Sequence, residues 1–82
     1  MRLWFRRRPI KELDRRTLQV ISDFTHKYGY SPGLTDIQRG LGYRSKNSPW
    51  VILKSLRGKG LVDWKTHTTR TLTITEKGKR YL

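Results

Sequence analysis

The change in hydrophobic periodicity at Gly58-Lys59-Gly60 constrains the fold of this chain more than any other feature. Before this point, apolar residues recur at the spacing of amphipathic α-helices. After it, apolar and polar residues alternate, as they do in half-buried β-strands. Since 82 residues are enough for one domain only, the sequence predicts a small α+β domain with its helices first.

Two helices are predicted in the first half of the chain. The first runs from about Asp14, a residue type that favours helix N-caps, to Tyr28, and Gly29 provides a left-handed C-cap. The second covers about Leu34 to Leu41. The residues expected to form the apolar stripes of these helices are Leu18, Ile21, Phe24, Leu34, Ile37 and Leu41.

The start of the third predicted helix is ambiguous. Ser45 could cap it, but Pro49 would then lie at the fourth helical position, where its missing N–H loses a hydrogen bond. With Ser48 as the N-cap, Pro49 lies at the first helical position, which proline favours. We therefore expect a regular helix from about Pro49 to Gly58, after an irregular lead-in turn. Its core-facing residues are expected to be Leu53 and Leu56, with Pro49 or Ile52.

Two β-strands are predicted over Leu61–Lys65 and Thr71–Thr75. The second alternates strictly, so that Leu72 and Ile74 face the core while the threonines face outward. The polar segment at 66–70 joins the strands as a hairpin tip.

The predicted order of elements is that of a small winged helix-turn-helix domain. We expect three helices followed by a two- or three-stranded antiparallel β-hairpin, the wing. The tail from Glu76 can add a short basic helix capped by Thr75. This domain is expected to span residues 13–82, after a basic N-terminal arm at residues 1–12.

The arm has two equally weighted interpretations. It either contacts phosphates or a minor groove, or packs on the domain through Leu3, Trp4 and Phe5. A role at a membrane surface is a distant third interpretation.

Charge predicts the class of partner. Nineteen Lys and Arg stand against six Asp and Glu, for a net charge of +13 and a pI near 11.0. Such an excess favours a polyanion, which is DNA, RNA or an acidic membrane face. No apolar run has the length of a membrane span or of a signal peptide's core, so we expect a cytoplasmic, nucleoid-associated protein.

Catalytic, metal and cofactor chemistry is not indicated by the sequence. Cysteine is absent, which excludes disulfides and cysteine-ligated zinc. His26 and His67 lie far apart with no metal-ligand spacing around them, and His26 is expected on the exposed side of the first helix. No phosphate-binding glycine loop or nucleophile motif occurs. We expect no enzyme activity, no cofactor and no small-molecule ligand.

A helix pair joined by a tight turn matches the geometry of the DNA major groove. The groove admits one helix, whose N-terminal residues contact the base edges, while the preceding helix braces it. A hairpin that follows can lie on the phosphate backbone, and Lys65, His67 and Arg70 suit that position.

Three sequence fragments carry a family resemblance. They are Leu41-Gly42-Tyr43-Arg44-Ser45-x-Asn47, Leu53-Lys54-x-Leu56 and Lys59-Gly60. Together they resemble the N-terminal DNA-binding domain of LexA-type repressors, and the similarity extends over roughly residues 13–75. The combination is fairly specific, whereas each fragment alone is weak.

The resemblance implies which residues contact DNA. The residues expected at base edges are Ser45, Asn47, Ser48, Trp50 and Val51. The residues expected to contact phosphates, with those of the predicted wing, are Arg44, Lys46, Lys54, Lys65, His67, Thr68 and Arg70. Asparagine can bind adenine through two hydrogen bonds, whereas lysine and arginine give affinity that depends on salt and not on sequence.

Three departures limit what the resemblance implies. LexA-type proteins carry polar and often acidic residues where this chain has Trp50, Val51 and Ile52, so the target sequence is not inherited. Trp50 either contacts a thymine methyl group, binds a partner or folds back into the core. Gly33 replaces a capping threonine before the second helix. The family's self-cleaving second domain has no counterpart among these residues.

The sequence is therefore compatible with three functions. The first is sequence-specific binding of double-stranded DNA by a transcription regulator, most simply a repressor, bound alone or as a homodimer on DNA. The second is an RNA-binding winged helix of the translation apparatus. The third is a protein-interaction module that uses the apolar face at Trp50, Val51 and Ile52.

Overall fold

The computed structural model describes residues 12–45, 47–68 and 70–82, except for the side chain of Asn47. In chain order the elements are α1 (Glu12–Tyr28), α2 (Leu34–Leu41), α3 (Asn47–Gly58), β1 (Val62–Asp63), β2 (Thr73–Ile74) and α4 (Glu76–Lys79). This order confirms the predicted α+β winged helix-turn-helix. The predicted N-terminal arm lies outside the described residues up to residue 11.

Helix α1 begins earlier than predicted, and Asp14 is not its N-cap. The helix starts at Glu12, so that Asp14 lies within its first turn. There the Asp14 carboxylate is buried and accepts a hydrogen bond from Nζ of Lys59 at 2.5 Å. A capping residue and a helical residue paired with a distant lysine look alike in sequence, which explains the wrong prediction. Gly29 ends the helix with φ of +78°, as predicted.

Helix α2 has the bounds that the sequence predicts. Its N-cap Gly33 has no side chain to offer, but the Asp36 carboxylate accepts the Gly33 N–H at 2.9 Å. This bond is the half of a capping box that the third helical residue supplies, and the half that an N-cap hydroxyl would supply is missing. Gly42 terminates the helix in the left-handed region, with φ of +80°.

Helix α3 begins two residues before the predicted Pro49. It starts at Asn47, which places Pro49 in the first turn. The first N–H groups of a helix have no intrahelical acceptor, so a proline in the first turn loses no hydrogen bond. Pro49 and Leu56 are instead fully buried, Leu53 is 5% exposed, and Ile52 packs against the core from a partly buried position.

The core lies where the three longer helices meet the hairpin. Its buried apolar residues are Leu18, Ile21, Ile37, Leu41, Leu53, Leu56, Leu61, Val62 and Leu72. Phe24, expected in the core, is only partly buried. It packs on Tyr28 and Tyr30, with ring centroids 4.5 and 5.6 Å away. The predicted apolar stripe of α1 therefore continues at its C-terminal end as an aromatic cluster.

The wing is the antiparallel hairpin of β1, β2 and the segment joining them. Val62 pairs with Ile74 and Asp63 with Thr73, and Leu72 faces the core as predicted, while Ile74 is partly buried. The ladder is shorter than the predicted strands. Beyond it, the Thr71 hydroxyl accepts the Lys65 N–H at 2.8 Å in place of a backbone carbonyl.

The predicted C-terminal helix forms as α4. The Thr75 hydroxyl caps it by accepting the Gly78 N–H at 3.1 Å. Gly78 is buried against the turn at Leu61, so that α4 closes the base of the wing. Within the described ranges, no helix has the length and apolar character needed to cross a membrane.

Candidate nucleic-acid interface

The outward face of α3 carries most of the described residues expected at base edges. Ser48, Trp50 and Val51 are all exposed, since Pro49, Leu53 and Leu56 fix the opposite side of the helix in the core. These three residues and Lys54, one turn further along, line one open groove. The helix therefore presents hydroxyl, apolar and cationic groups side by side.

Trp50 does not fold back into the core. It is 41% exposed, and its ring lies 5.8 Å from the ring of Trp64 at an interplanar angle of 49°. Nζ of Lys54 lies 5.5 Å from the Trp50 ring centroid. The core interpretation is thus wrong, and Trp50 bridges α3 and the wing at the surface.

Two residues of this surface, Arg57 and Trp64, were not predicted as site residues from the sequence. Arg57 donates from Nε to the Asp63 carboxylate at 3.1 Å and from a terminal nitrogen to the Trp64 carbonyl at 3.0 Å. Its guanidinium also lies 4.3 Å from the Trp64 ring centroid. Arg57 follows Trp50 by seven positions, which places both on one side of a helix, so helical spacing could have identified it.

The turn between α2 and α3 presents Arg44 and Ser45 to solvent. The Arg44 carbonyl accepts a hydrogen bond from the Gln38 amide at 2.9 Å, which ties this turn to α2. Lys46 and the side chain of Asn47 lie outside the described residues, although the backbone of Asn47 begins α3.

The tip of the wing is polar, exposed and locally fixed. Lys65, His67 and Thr68 are exposed, and His67 adopts a positive φ of 64°. The Thr68 N–H donates to the Lys65 carbonyl at 3.2 Å, and the Thr71 hydroxyl donates to the Thr68 carbonyl at 3.2 Å. These bonds hold residues 65–68 in a compact turn and tie its end to Thr71.

Arg70 is engaged within the protein rather than extended into solvent. One terminal nitrogen donates to the Ser31 carbonyl at 3.1 Å and lies 3.5 Å from the Asp36 carboxylate. The guanidinium also lies 4.7 Å from the Tyr30 ring centroid. Its side chain nevertheless stays 50% exposed, so that Arg70 joins the wing to the start of α2 and still offers donors to solvent.

A second groove brings α3 and the wing together. Its lining includes Trp50, Trp64, Lys65, His67 and Arg70. Residues predicted from separate segments of the sequence thus share one surface. Among the residues that the structure describes, no group of three or more acidic or histidine side chains is placed to hold a metal ion.

Comparison with known proteins gives one family and two similar repressors. The model of the LexA DNA-binding domain matches residues 8–71. The LexA repressor of Cellvibrio japonicus (strain Ueda107) is 34% identical over 59 residues, which are 72% of this chain and 30% of that protein. The LexA repressor of Syntrophobacter fumaroxidans (strain DSM 10017 / MPOB) is 38% identical over 52 residues, 61% of this chain and 25% of that protein. The chain spans less than a third of the length of these relatives.

Proposed function

Because this chain belongs to the LexA DNA-binding domain family, we propose that it binds double-stranded DNA sequence-specifically and represses transcription. Helix α3 enters the major groove, and the wing lies on the phosphate backbone. The observation that carries the proposal is the continuous exposed surface of α3 and the wing, in a chain with a net charge of +13. This surface supports a binding function, and we propose no catalytic one.

Base edges are contacted from the start of α3 and the turn before it. The proposed residues are Ser45, Asn47, Ser48, Trp50 and Val51. Hydroxyl and amide groups supply hydrogen bonds to base edges, and the apolar residues add van der Waals contacts. Replacing Asn47 by alanine should relax the preference at one base position, whereas uniform weakening at all sites would contradict a base contact.

Phosphate contacts flank the base contacts on both sides. The proposed residues are Arg44, Lys46, Lys54, Lys65, His67, Thr68 and Arg70. Arg70 serves in two ways, since it binds Ser31 and Asp36 while half of its side chain stays exposed. Such contacts fix the position of the protein on the duplex and carry no sequence information.

The proposal extends to assembly and location. Two copies bind a two-fold symmetric site as a homodimer on DNA, one α3 to each half-site. The protein acts in the cytoplasm, on the nucleoid.

Selection from a random duplex pool, followed by competition with structured RNA, tests the proposal. We expect one duplex motif to be enriched and structured RNA to compete only as weakly as unrelated duplex. Stronger competition by RNA would support the RNA-binding alternative instead. A protein partner that is lost with Trp50→Ala but kept after Lys54→Glu would favour the protein-interaction alternative.

A further inference from the structure

The outward face of α3 carries two adjacent apolar side chains that the fold does not bury. Val51 is 59% exposed and Trp50 is 41% exposed, although both belong to a helix whose other face is fully packed. An exposed apolar patch on a small soluble domain marks a contact surface. Neither side chain belongs to the buried core, so core packing does not require an apolar residue at either position. Their apolar character is therefore available for an external contact.

The larger member of the apolar pair, Trp50, is held in place before any ligand binds. Trp64 packs against the Trp50 ring at 5.8 Å, and Arg57 in turn covers Trp64 and binds Asp63. The Trp50 ring therefore has support from the wing, which limits its movement. A surface that is already ordered loses little side-chain entropy when it binds.

Charge around the pair favours a polyanion over an apolar protein partner. Lys54 lies against the Trp50 ring at 5.5 Å, and Lys65 and His67 line the same groove as Trp50. An apolar contact bordered by cations is complementary to a DNA base edge that is bordered by phosphates. This assignment rests on the function proposed above.

The types of side chain on α3 determine which base edge in the major groove they can contact. No carboxylate occurs between Asn47 and Gly58, so that the helix has no acidic acceptor for the amino group of cytosine. Thymine is the base whose major-groove edge carries a methyl group, and apolar side chains contact it. We infer that Val51 and Trp50 form a binding site for thymine methyl groups, which makes thymine the preferred base opposite this part of α3.

Replacing thymine by deoxyuridine tests this inference, because the exchange removes only the methyl group. Each thymine of the selected duplex is replaced singly, and Kd is measured by fluorescence anisotropy. We expect an increase in Kd of about fourfold at one or two positions, since one buried methyl or methylene group contributes about 0.8 kcal/mol. In Val51→Ala or Trp50→Ala, the penalty at the matching position should disappear.

Lys65→Ala is the matched control. It should weaken binding to the thymine and deoxyuridine duplexes equally and leave their ratio at about four. If every deoxyuridine is neutral while the selected duplex still binds tightly, the inference is overturned and the proposed DNA binding stands. If no duplex is enriched at all, the proposed function fails as well. The deoxyuridine scan with the unaltered protein tests the methyl contact even where a variant does not fold.

Discussion

Arg70 combines a strained backbone with a side chain that contacts three neighbours. Its φ of 57° lies in the left-handed region, which non-glycine residues rarely adopt. Its guanidinium meanwhile contacts Ser31, Asp36 and Tyr30 on the other side of the groove. The side-chain contacts thus hold a backbone conformation that the residue type itself disfavours.

Two substitutions separate the backbone from the side chain at this position. Arg70→Gly and Arg70→Ala remove the same contacts, but only alanine keeps the left-handed strain, which costs about 1–2 kcal/mol. We expect Arg70→Gly to be more stable than Arg70→Ala by about 1 kcal/mol, after allowance for the greater freedom of glycine in the unfolded chain. Urea denaturation measures the difference, and equal stabilities would contradict strain at Arg70.

Residue-scale features were the least predictable from the sequence. Exposure of Trp50 could not be derived, because a tryptophan at that spacing fits the core or the surface equally well until Trp64 is placed beside it. Likewise, Arg70 was expected only as a phosphate contact. Its bond to Ser31 joins residues 39 positions apart, and no local pattern encodes such a pair.

At the scale of elements, a buried ion pair fastens the start of α1 to the turn after α3. Asp14 and Lys59 are 7% and 8% exposed at their side chains, and they lie 45 positions apart in the sequence. Desolvation of both charges makes the net contribution of such a pair small. Removal of one partner is costly, because the other charge then stays buried and loses this hydrogen-bonded ion pair.

We predict that Lys59→Met lowers the free energy of unfolding by about 3–5 kcal/mol. The double variant Asp14→Leu, Lys59→Met should recover most of this loss, since neither charge of the buried pair remains to be desolvated. Thermal and chemical denaturation of the single and double variants measure the coupling. A double variant no more stable than Lys59→Met would show that packing, not charge, accounts for the loss.

Two glycines mark the closest approaches between elements, and they differ in what lies opposite. A Cβ at Gly78 would lie 2.1 Å from the Leu61 carbonyl oxygen, which belongs to the backbone. A Cβ at Gly40 would lie 2.6 Å from a methyl group of Val20, which belongs to a side chain and not to the backbone. Helix α4 therefore depends on a glycine more strictly than the contact between α1 and α2.

Alanine at each site tests this difference. Gly78→Ala should destabilise the domain by about 1–3 kcal/mol, because the backbone of the wing must move away from α4. Gly40→Ala should cost less, since a side chain and not the backbone must shift, and the higher helix propensity of alanine offsets part of the crowding. The two midpoints of thermal unfolding give the comparison, and a larger loss for Gly40→Ala would refute it.

Element boundaries were predictable where the local sequence signals agreed. Helix α2 was bounded correctly because its apolar spacing and the glycine at its end agree. Helix α3 was placed two residues late, because the sequence does not reveal that Pro49 fits equally well at the third helical position, within the first turn. At that position its ring is buried. The strands proved shorter than their alternating pattern because, beyond the Asp63–Thr73 pair, the Thr71 hydroxyl takes the place of a ladder acceptor.

At the scale of the whole molecule, the architecture followed from the order of periodicities alone. Helical spacing before Gly58 and alternation after Gly60 specify helices that pack on a hairpin, and few arrangements bury both apolar faces within 82 residues. The position of the cationic wing tip beside α3 is a consequence of that packing. The individual contacts across the groove do not follow from that packing. Each depends on side-chain conformations, and several folds with the same order of elements would permit them.

The net charge of +13 predicts that the affinity for DNA depends on the salt concentration. A phosphate contact releases a condensed counterion, so each lost contact should reduce the slope of log K against log salt by about 0.9. Lys54 is exposed on α3 and engages only the Trp50 ring in the described contacts, which leaves its ammonium available to a phosphate. Lys54→Ala should therefore weaken binding to all duplexes and flatten the slope by about one, while Lys54→Arg should keep the slope. Titrations from low to physiological salt measure both slopes. An unchanged slope in Lys54→Ala would remove Lys54 from the phosphate contacts and place the electrostatic attraction on the turn before α3 and on the wing.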